Sequence, residues 1–178
     1  QQHPFFLYYP MLLTHDPYQP TPDSDEWDPK FDGDEQKMRK PKHFGEMVHY
    51  MDKLIGKVAA KVDELGLSDD TLIIFLGDNG TGRAAVSQFE GKPYPGGKGL
   101  PTARGMHVPL IVNWRDHVPA GKENDDLVGA VDFLPALGEA AGVAVPTTLK
   151  IDGRSFLPQA LGQAGEPREW LRELVVRA

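Results

Sequence analysis

Thr71-Leu72-Ile73-Ile74-Phe75-Leu76-Gly77-Asp78-Asn79-Gly80 carries the strongest architectural signal in this 178-residue chain. The run from Thr71 to Leu76 is uncharged and rich in β-branched and aromatic side chains. Such a run predicts a strand buried on both faces, the pattern of a parallel sheet. Gly77 to Gly80 end the strand and place two side-chain oxygen donors, Asp78 and Asn79, just past its carboxyl end.

Upstream, Phe44, Met47, Val48, Met51, Leu54, Ile55, Val58, Val62 and Leu65 repeat at spacings of three and four. They draw one apolar stripe over about six helical turns. Gly66 supplies a stop, and Ser68-Asp69-Asp70 a turn into the strand. Phe5-Phe6-Leu7-Tyr8-Tyr9 predicts an earlier buried strand. Strand, long helix and strand describe a βαβ crossover, hence an α/β fold with a mostly parallel sheet. Val108 to Trp114 predicts a third strand, with Pro109 tolerated near its start. Val131, Phe133, Leu134, Leu137 and Ala141 predict a short helix whose interior begins no earlier than about Pro135, and Glu166 to Ala178 predicts another. Residues 14–41, rich in proline and charge, and the glycine-rich residues 81–106 read as long loops.

Composition sets outer bounds. The length suits one domain or part of a larger one. Hydrophobic residues at 40% and charged residues at 25% make an ordinary globular balance. Nineteen basic against 26 acidic residues leave a net charge of −7, which argues against a nucleic-acid or anionic-membrane surface. There is no cysteine, so disulfides, zinc–thiolate sites and cysteine nucleophiles are excluded from the chain. No apolar run approaches the roughly 20 residues of a membrane helix. The first residue is Gln1, no basic leader precedes the first apolar run, and no turn precedes the Phe5 strand. Together these lead to the expectation of a missing N-terminal neighbour.

In an open parallel sheet, ligands sit beyond the carboxyl ends of the strands. His15 follows the Phe5 strand, Asp78 and Asn79 follow the Leu72 strand, and Lys98 lies in the loop beyond. A carboxylate and an amide oxygen on adjacent residues suit a hard cation such as calcium, which takes six to eight oxygens. Asp-Asn-Gly is equally good turn chemistry. Gly96-Gly97-Lys98-Gly99 allows close backbone approach to an anion beside an ammonium, against the plainer reading of a solvated loop lysine. His15 in Thr14-His15-Asp16-Pro17 can donate to an anion or a leaving group, or can simply be a surface histidine. His43, His49, His107 and His117 have no visible partner and read as structural, and Asp52 as a solvated helix carboxylate.

These segments, taken together, resemble the arylsulfatase family within the alkaline-phosphatase-like superfamily. The resemblance runs from Pro4 to about Trp170. Pro4 to Tyr9 followed by Thr14-His15-Asp16-Pro17-Tyr18-Gln19 looks like the family strand and its substrate-side histidine. Tyr50-Met51-Asp52 through Gly80 looks like the family helix and metal-binding strand. Gly96-Gly97-Lys98-Gly99 with Gly105 to Ile111 is similar to the lysine loop and the strand after it. Asp132-Phe133-Leu134-Pro135 and Asp152-Gly153-Arg154-Ser155 look like a later helix and loop.

The resemblance implies a three-layer α/β sandwich of the alkaline-phosphatase-like kind, incomplete here, with residues 1–178 forming one partial domain from the C-terminal part of a catalytic domain. It implies Asp78 and Asn79 as Ca2+ ligands and His15 and Lys98 as the residues that hold the sulfate of a sulfate ester. The substrate is then a sulfate-ester small molecule or a sulfated glycan, and the loops at 16–41 and 81–95 select it. A periplasmic or secreted location is the family's habit, while the sequence itself carries no address.

The nucleophile of the family, a formylglycine hydrate, arises from Cys/Ser-x-Pro-x-Arg. Ser24, Ser68, Ser87 and Ser155 all stand outside that motif. A further Asp pair expected on the family's first strand has no match either. Asp69-Asp70 lies at the wrong end of its strand, roughly 25 Å from Asp78 at about 3.3 Å per residue, and Asp125-Asp126 matches nothing. The expectation is a sulfatase fragment, inactive alone. Two other readings stay open: a non-catalytic anion- or calcium-binding module that self-associates through its unpaired sheet edge, and a phosphate or phosphonate ester hydrolase of the same superfamily.

Overall fold

The computed structural model describes residues 3–30 and 41–165. Its elements run α1 (Phe44–Glu64), β1 (Ile73–Leu76), β2 (Val86–Phe89), β3 (Lys92–Pro95), α2 (Ala103–Met106), β4 (Leu110–Asn113), α3 (Phe133–Ala140) and α4 (Leu157–Ala160). The helix expected over Glu166 to Ala178 lies outside the described residues. Contacts divide the chain into two compact units: Gln1–Ala59 with Asp78–Val108, and Ala60–Gly77 with Pro109–Ala178.

α1 follows its stripe. Met47 is buried, Phe44, Val48, Met51, Leu54, Ile55, Val58 and Val62 are half-buried, and Asp52, Lys53 and Lys57 face solvent. Gly66, at φ +67°, ends it in the left-handed conformation that glycine adopts most cheaply. Leu67 N–H reaches back to the Val62 carbonyl at 3.0 Å.

The core of the first unit is Tyr18, Met47 and Ala85, with Leu13 and Phe44 packed against it. Tyr18 meets Phe44 edge-on at 5.5 Å between ring centres. The long loop ahead of α1 is clasped to that helix by charge. Lys53 bonds both carboxylate oxygens of Asp23 at 2.7 Å, Lys42 pairs with Glu26, and buried His43 bonds Glu46 at 3.0 Å.

β2 and β3 form an antiparallel hairpin, Val86 opposite Pro95 and Phe89 opposite Lys92, inside the segment expected to be irregular. Glu90 and Gly91 turn it with φ of 50° and 73°, the two-residue geometry that matches strand twist. Gly96 N–H donates to the Ala85 carbonyl at 2.9 Å. Counting back by twos, Tyr94 and Lys92 occupy the hydrogen-bonded positions. Pro93 and Pro95 fall between them, where a missing N–H costs the ladder nothing.

In the second unit β1 pairs antiparallel with β4, from Ile73 opposite Asn113 to Leu76 opposite Leu110. The α/β content stands; the sheets among the described residues are small and antiparallel, and no parallel pairing occurs among those residues. An apolar run specifies burial and leaves strand direction open. β1 is also only half-buried, with Leu76 at 42% exposure, because one neighbour strand rather than two flanks it. Phe5–Tyr9 forms no strand among the described residues, and its side chains are exposed, Phe6 at 77% and Tyr8 at 76%. Its apolar character was read correctly, but no described segment pairs with it.

Beyond β4, Trp114 Nε1–H bonds the Asp69 carbonyl at 2.7 Å, and Arg115 pairs with Asp63 at 2.5 Å. The Asp69 backbone carbonyl thus helps hold the chain around β1, and its carboxylate lies 3.9 Å from Arg115 Nε. Ala136, Phe156 and Leu157 are buried, with Phe133 edge-on to Phe156 at 5.3 Å. Pro135 sits in the first turn of α3, where its missing donor costs no helical bond. The buried Asp132 accepts from Gly129 N–H and Arg154 N–H, both at 2.8 Å. It thereby joins two segments that lie 22 residues apart.

Candidate functional site

His15 and Lys98 stand 83 residues apart in sequence, yet Lys98 Nζ lies 2.9 Å from His15 Nε2. Each is placed by its own backbone. His15 N–H bonds the Leu12 carbonyl at 3.0 Å, and its Nδ1 lies 2.6 Å from the Asp16 carbonyl oxygen. With the ammonium donating to Nε2, the proton of a neutral imidazole sits on Nδ1 and points to Asp16. Tyr18, three residues on, anchors the same loop in the core. Burial, with the nearby Asp16 charge adding to it, pushes its phenol above the ordinary range.

Lys98 owes its position to backbone packed on backbone. Its N–H donates to the Thr81 carbonyl at 2.9 Å, and Gly80 N–H donates to the Gly105 carbonyl at 2.9 Å. A Cβ on Gly96 would overlap the Thr81 and Gly82 carbonyls, and one on Gly105 would overlap the Leu100 carbonyl. Gly96, Gly97 and Gly105 therefore serve a close crossing of two chain segments, while Gly99 turns the chain at φ +82° with open space beside it.

Asp78 and Asn79 lie at the start of one of these crossing segments, two and three residues past Leu76. Asn79 donates to Asp78 twice, from its backbone at 2.8 Å and from its amide at 2.5 Å. Asp78 is exposed and Asn79 half-buried. Together they offer carboxylate and amide oxygens, the donor set of a hard cation, but only part of its shell. Among the described residues no group of three His, Cys, Asp or Glu side chains forms a complete site.

The four candidates thus fall into two pairs within one unit. The Thr81–Lys98 backbone bond ties the segment that starts at Asp78 to the loop that carries Lys98. A groove of about 640 Å³ in the same unit is lined by Lys42, Phe44, Val48, His49, Ala84 and Val86, and none of the four candidates borders it. Tyr18 and Asp132 were not singled out from sequence. Tyr18 stood inside the quoted His15 segment, and Asp132 at the head of a quoted helix, but neither declared its burial.

Similarity to known proteins identifies the family. The Sulfatase family model matches residues 1–143. N-acetylgalactosamine-6-sulfatase of Canis lupus familiaris is 32% identical over 164 residues, covering 90% of this chain and 29% of that protein. Arylsulfatase A of Homo sapiens is 32% identical over 176 residues, covering 96% of this chain and 31% of its own length. The crystal structure of Ps i-CgsB superposes with a TM-score of 0.70 at 29% identity, over 90% of this chain and 34% of that one. A second structure of it, in complex with k-i-k-neocarrahexaose, gives 0.57 at 31% identity, over 66% and 26%. The chain spans about a third of the length of these relatives. A family model that covers four-fifths of the sequence, and relatives aligned across nearly all of it, establish that the chain belongs to the sulfatase family.

Proposed function

We propose that this chain is the C-terminal part of the catalytic domain of a calcium-dependent sulfate-ester hydrolase. In this reading it supplies the sulfate-holding pair His15 and Lys98 and two metal ligands, Asp78 and Asn79. The observation that carries the proposal is the 2.9 Å approach of Lys98 Nζ to His15 Nε2 across 83 residues of sequence. An ammonium and an imidazole nitrogen brought side by side can both turn to one tetrahedral anion.

Lys98 neutralises charge on the sulfate oxygens. His15, held through Nδ1–H by the Asp16 carbonyl, can leave Lys98 and, with a second proton on Nε2, donate from Nε2–H to a sulfate or leaving-group oxygen. Asp78 and Asn79 fit a hard cation by donor chemistry, and the Asn79 amide needs only to rotate to present its oxygen. Calcium, when bound, supplies polarisation of the sulfate and stabilisation of the nucleophile's oxygen. The formylglycine nucleophile has no precursor in these residues, since the chain has no cysteine and no Ser-x-Pro-x-Arg. Turnover therefore requires more of the protein than this chain, and the three-layer, mostly parallel sandwich is proposed for that whole. A sulfated glycan is the favoured substrate class, because the chain resembles N-acetylgalactosamine-6-sulfatase and a protein crystallised with a carrageenan hexaose.

Calorimetry of the 178-residue chain with p-nitrophenyl sulfate tests the site. Binding without turnover is expected. Lys98→Ala and His15→Ala should each weaken binding roughly tenfold to a hundredfold, the loss of one charge-assisted hydrogen bond. Failure of the unmodified chain to bind any sulfate ester sinks the assignment. Preference for p-nitrophenyl phosphate moves the protein to the phosphate-ester branch of the superfamily. Sequencing the gene upstream of the Gln1 codon should find an in-frame Cys/Ser-x-Pro-x-Arg.

A further inference from the structure

The segment that follows Asn79 has the opposite charge to the rest of the molecule. Between Gly80 and Gly105 stand Arg83, Lys92, Lys98 and Arg104, with Glu90 as the lone carboxylate, in a chain of net charge −7. The β2–β3 hairpin is the centre of this segment, and its register sorts its side chains onto two faces. Phe89 opposes Lys92 and Ser87 opposes Tyr94, so these four share one face. Val86, Gln88, Pro93 and Pro95 take the other.

On the first face the Phe89 and Tyr94 rings lie 5.5 Å apart and tilted by 53°. Both are open to solvent, Phe89 at 60% and Tyr94 at 39%. Exposed aromatics clustered beside a cation mark a surface for a ligand that is apolar on one face and anionic at its edge. Sulfated sugar rings have both properties: C–H faces that lie flat on aromatic rings, and sulfates that pair with ammonium groups. Reach supports the same ligand. Tyr94 precedes Lys98 by four residues, so their backbones lie within about 13 Å. That is the span of a short oligosaccharide, longer than a single ring.

We propose that the Phe89–Lys92–Tyr94 face of the hairpin is an outer subsite for a sulfated oligosaccharide. Phe89 and Tyr94 stack on a sugar ring, and Lys92 pairs with a sulfate other than the one held at His15 and Lys98. The proposal rests on the His15–Lys98 reading for the position of that first sulfate.

The test uses the full chain, calorimetry and three probes: a carrageenan hexasaccharide, the same hexasaccharide desulfated, and p-nitrophenyl sulfate. Phe89→Ala with Tyr94→Ala should weaken the sulfated hexasaccharide about tenfold and leave p-nitrophenyl sulfate unchanged. Lys92→Glu, at an exposed position where folding is not at stake, should weaken the hexasaccharide and flatten its salt dependence. Lys98→Ala should weaken both sulfated probes. Hexasaccharide binding that survives both hairpin variants overturns the proposal, as does equal binding of the desulfated form. Binding of p-nitrophenyl sulfate without any binding of the hexasaccharide overturns the subsite and spares the His15–Lys98 site. Binding of neither removes both.

Discussion

Gly153 shows how much one missing Cβ can matter. An alanine there would overlap the Val131 carbonyl and press against the Asp132 amide at 3.1 Å. Gly153→Ala should destabilise the chain by about 1–3 kcal/mol, the cost of overpacking, read as a lower urea midpoint at unchanged slope. Glu46 makes a pH-dependent contribution. The hydrogen bond from His43 holds its carboxyl below the ordinary carboxylate range, with Ser24 assisting and partial burial opposing. A folded-state value below the unfolded one stabilises fully above the unfolded pKa, about 4.3, and is lost as pH falls through the folded value. The stability gap between the native chain and Glu46→Gln should therefore hold near pH 5 and shrink on acidification below about pH 4. A gap that stays constant down to pH 3 would sink the assignment. Gly153 illustrates what sequence concealed. Gly153 and Asp132 lay in quoted motifs, but their tie to each other is a tertiary fact that spacing does not encode.

α1 is the element that sequence specified best, because a 3.6-residue period over this length has one structural solution. It also contains Gly56, in mid-helix, with nothing within 4 Å of where a Cβ would stand. Gly56→Ala should stabilise the chain by roughly 0.5–1 kcal/mol, measurable as a raised melting temperature. The strands were legible as apolar runs but not as pairs. Ile73 to Leu76 and Leu110 to Asn113 fall where expected, yet their antiparallel register is set by partners and connections rather than by their own residues. The β2–β3 hairpin was missed because the glycine-rich run 81–106 read as one long loop, and Pro93 and Pro95 gave no strand signal. Only the register shows that both sit at positions that need no donor. Its Glu90-Gly91 turn between Phe89 and Lys92 was the available signal. The site followed the same rule. Asp78, Asn79, His15 and Lys98 were picked out by residue type and context, whereas the contact of His15 with Lys98 required the fold.

For the molecule as a whole, exposed apolar surface governs behaviour in isolation. Phe5, Phe6, Leu7, Tyr8 and Tyr9 are each more than half exposed, an uninterrupted apolar stretch without secondary structure. The chain on its own should self-associate, with sedimentation velocity showing a weight-average mass that rises with concentration. A clean 19.7 kDa monomer at high concentration would count against this. The hairpin carries a different consequence. The bonds from Gly96 to Ala85 and from Lys98 to Thr81 close its root beneath the strands. Whatever happens between Val86 and Pro95 is thereby insulated from the lysine below. Such a root makes the hairpin an exchangeable cassette: lengthened, shortened or transplanted between members of the family, it changes the surface above while the backbone that carries Lys98 stays in register.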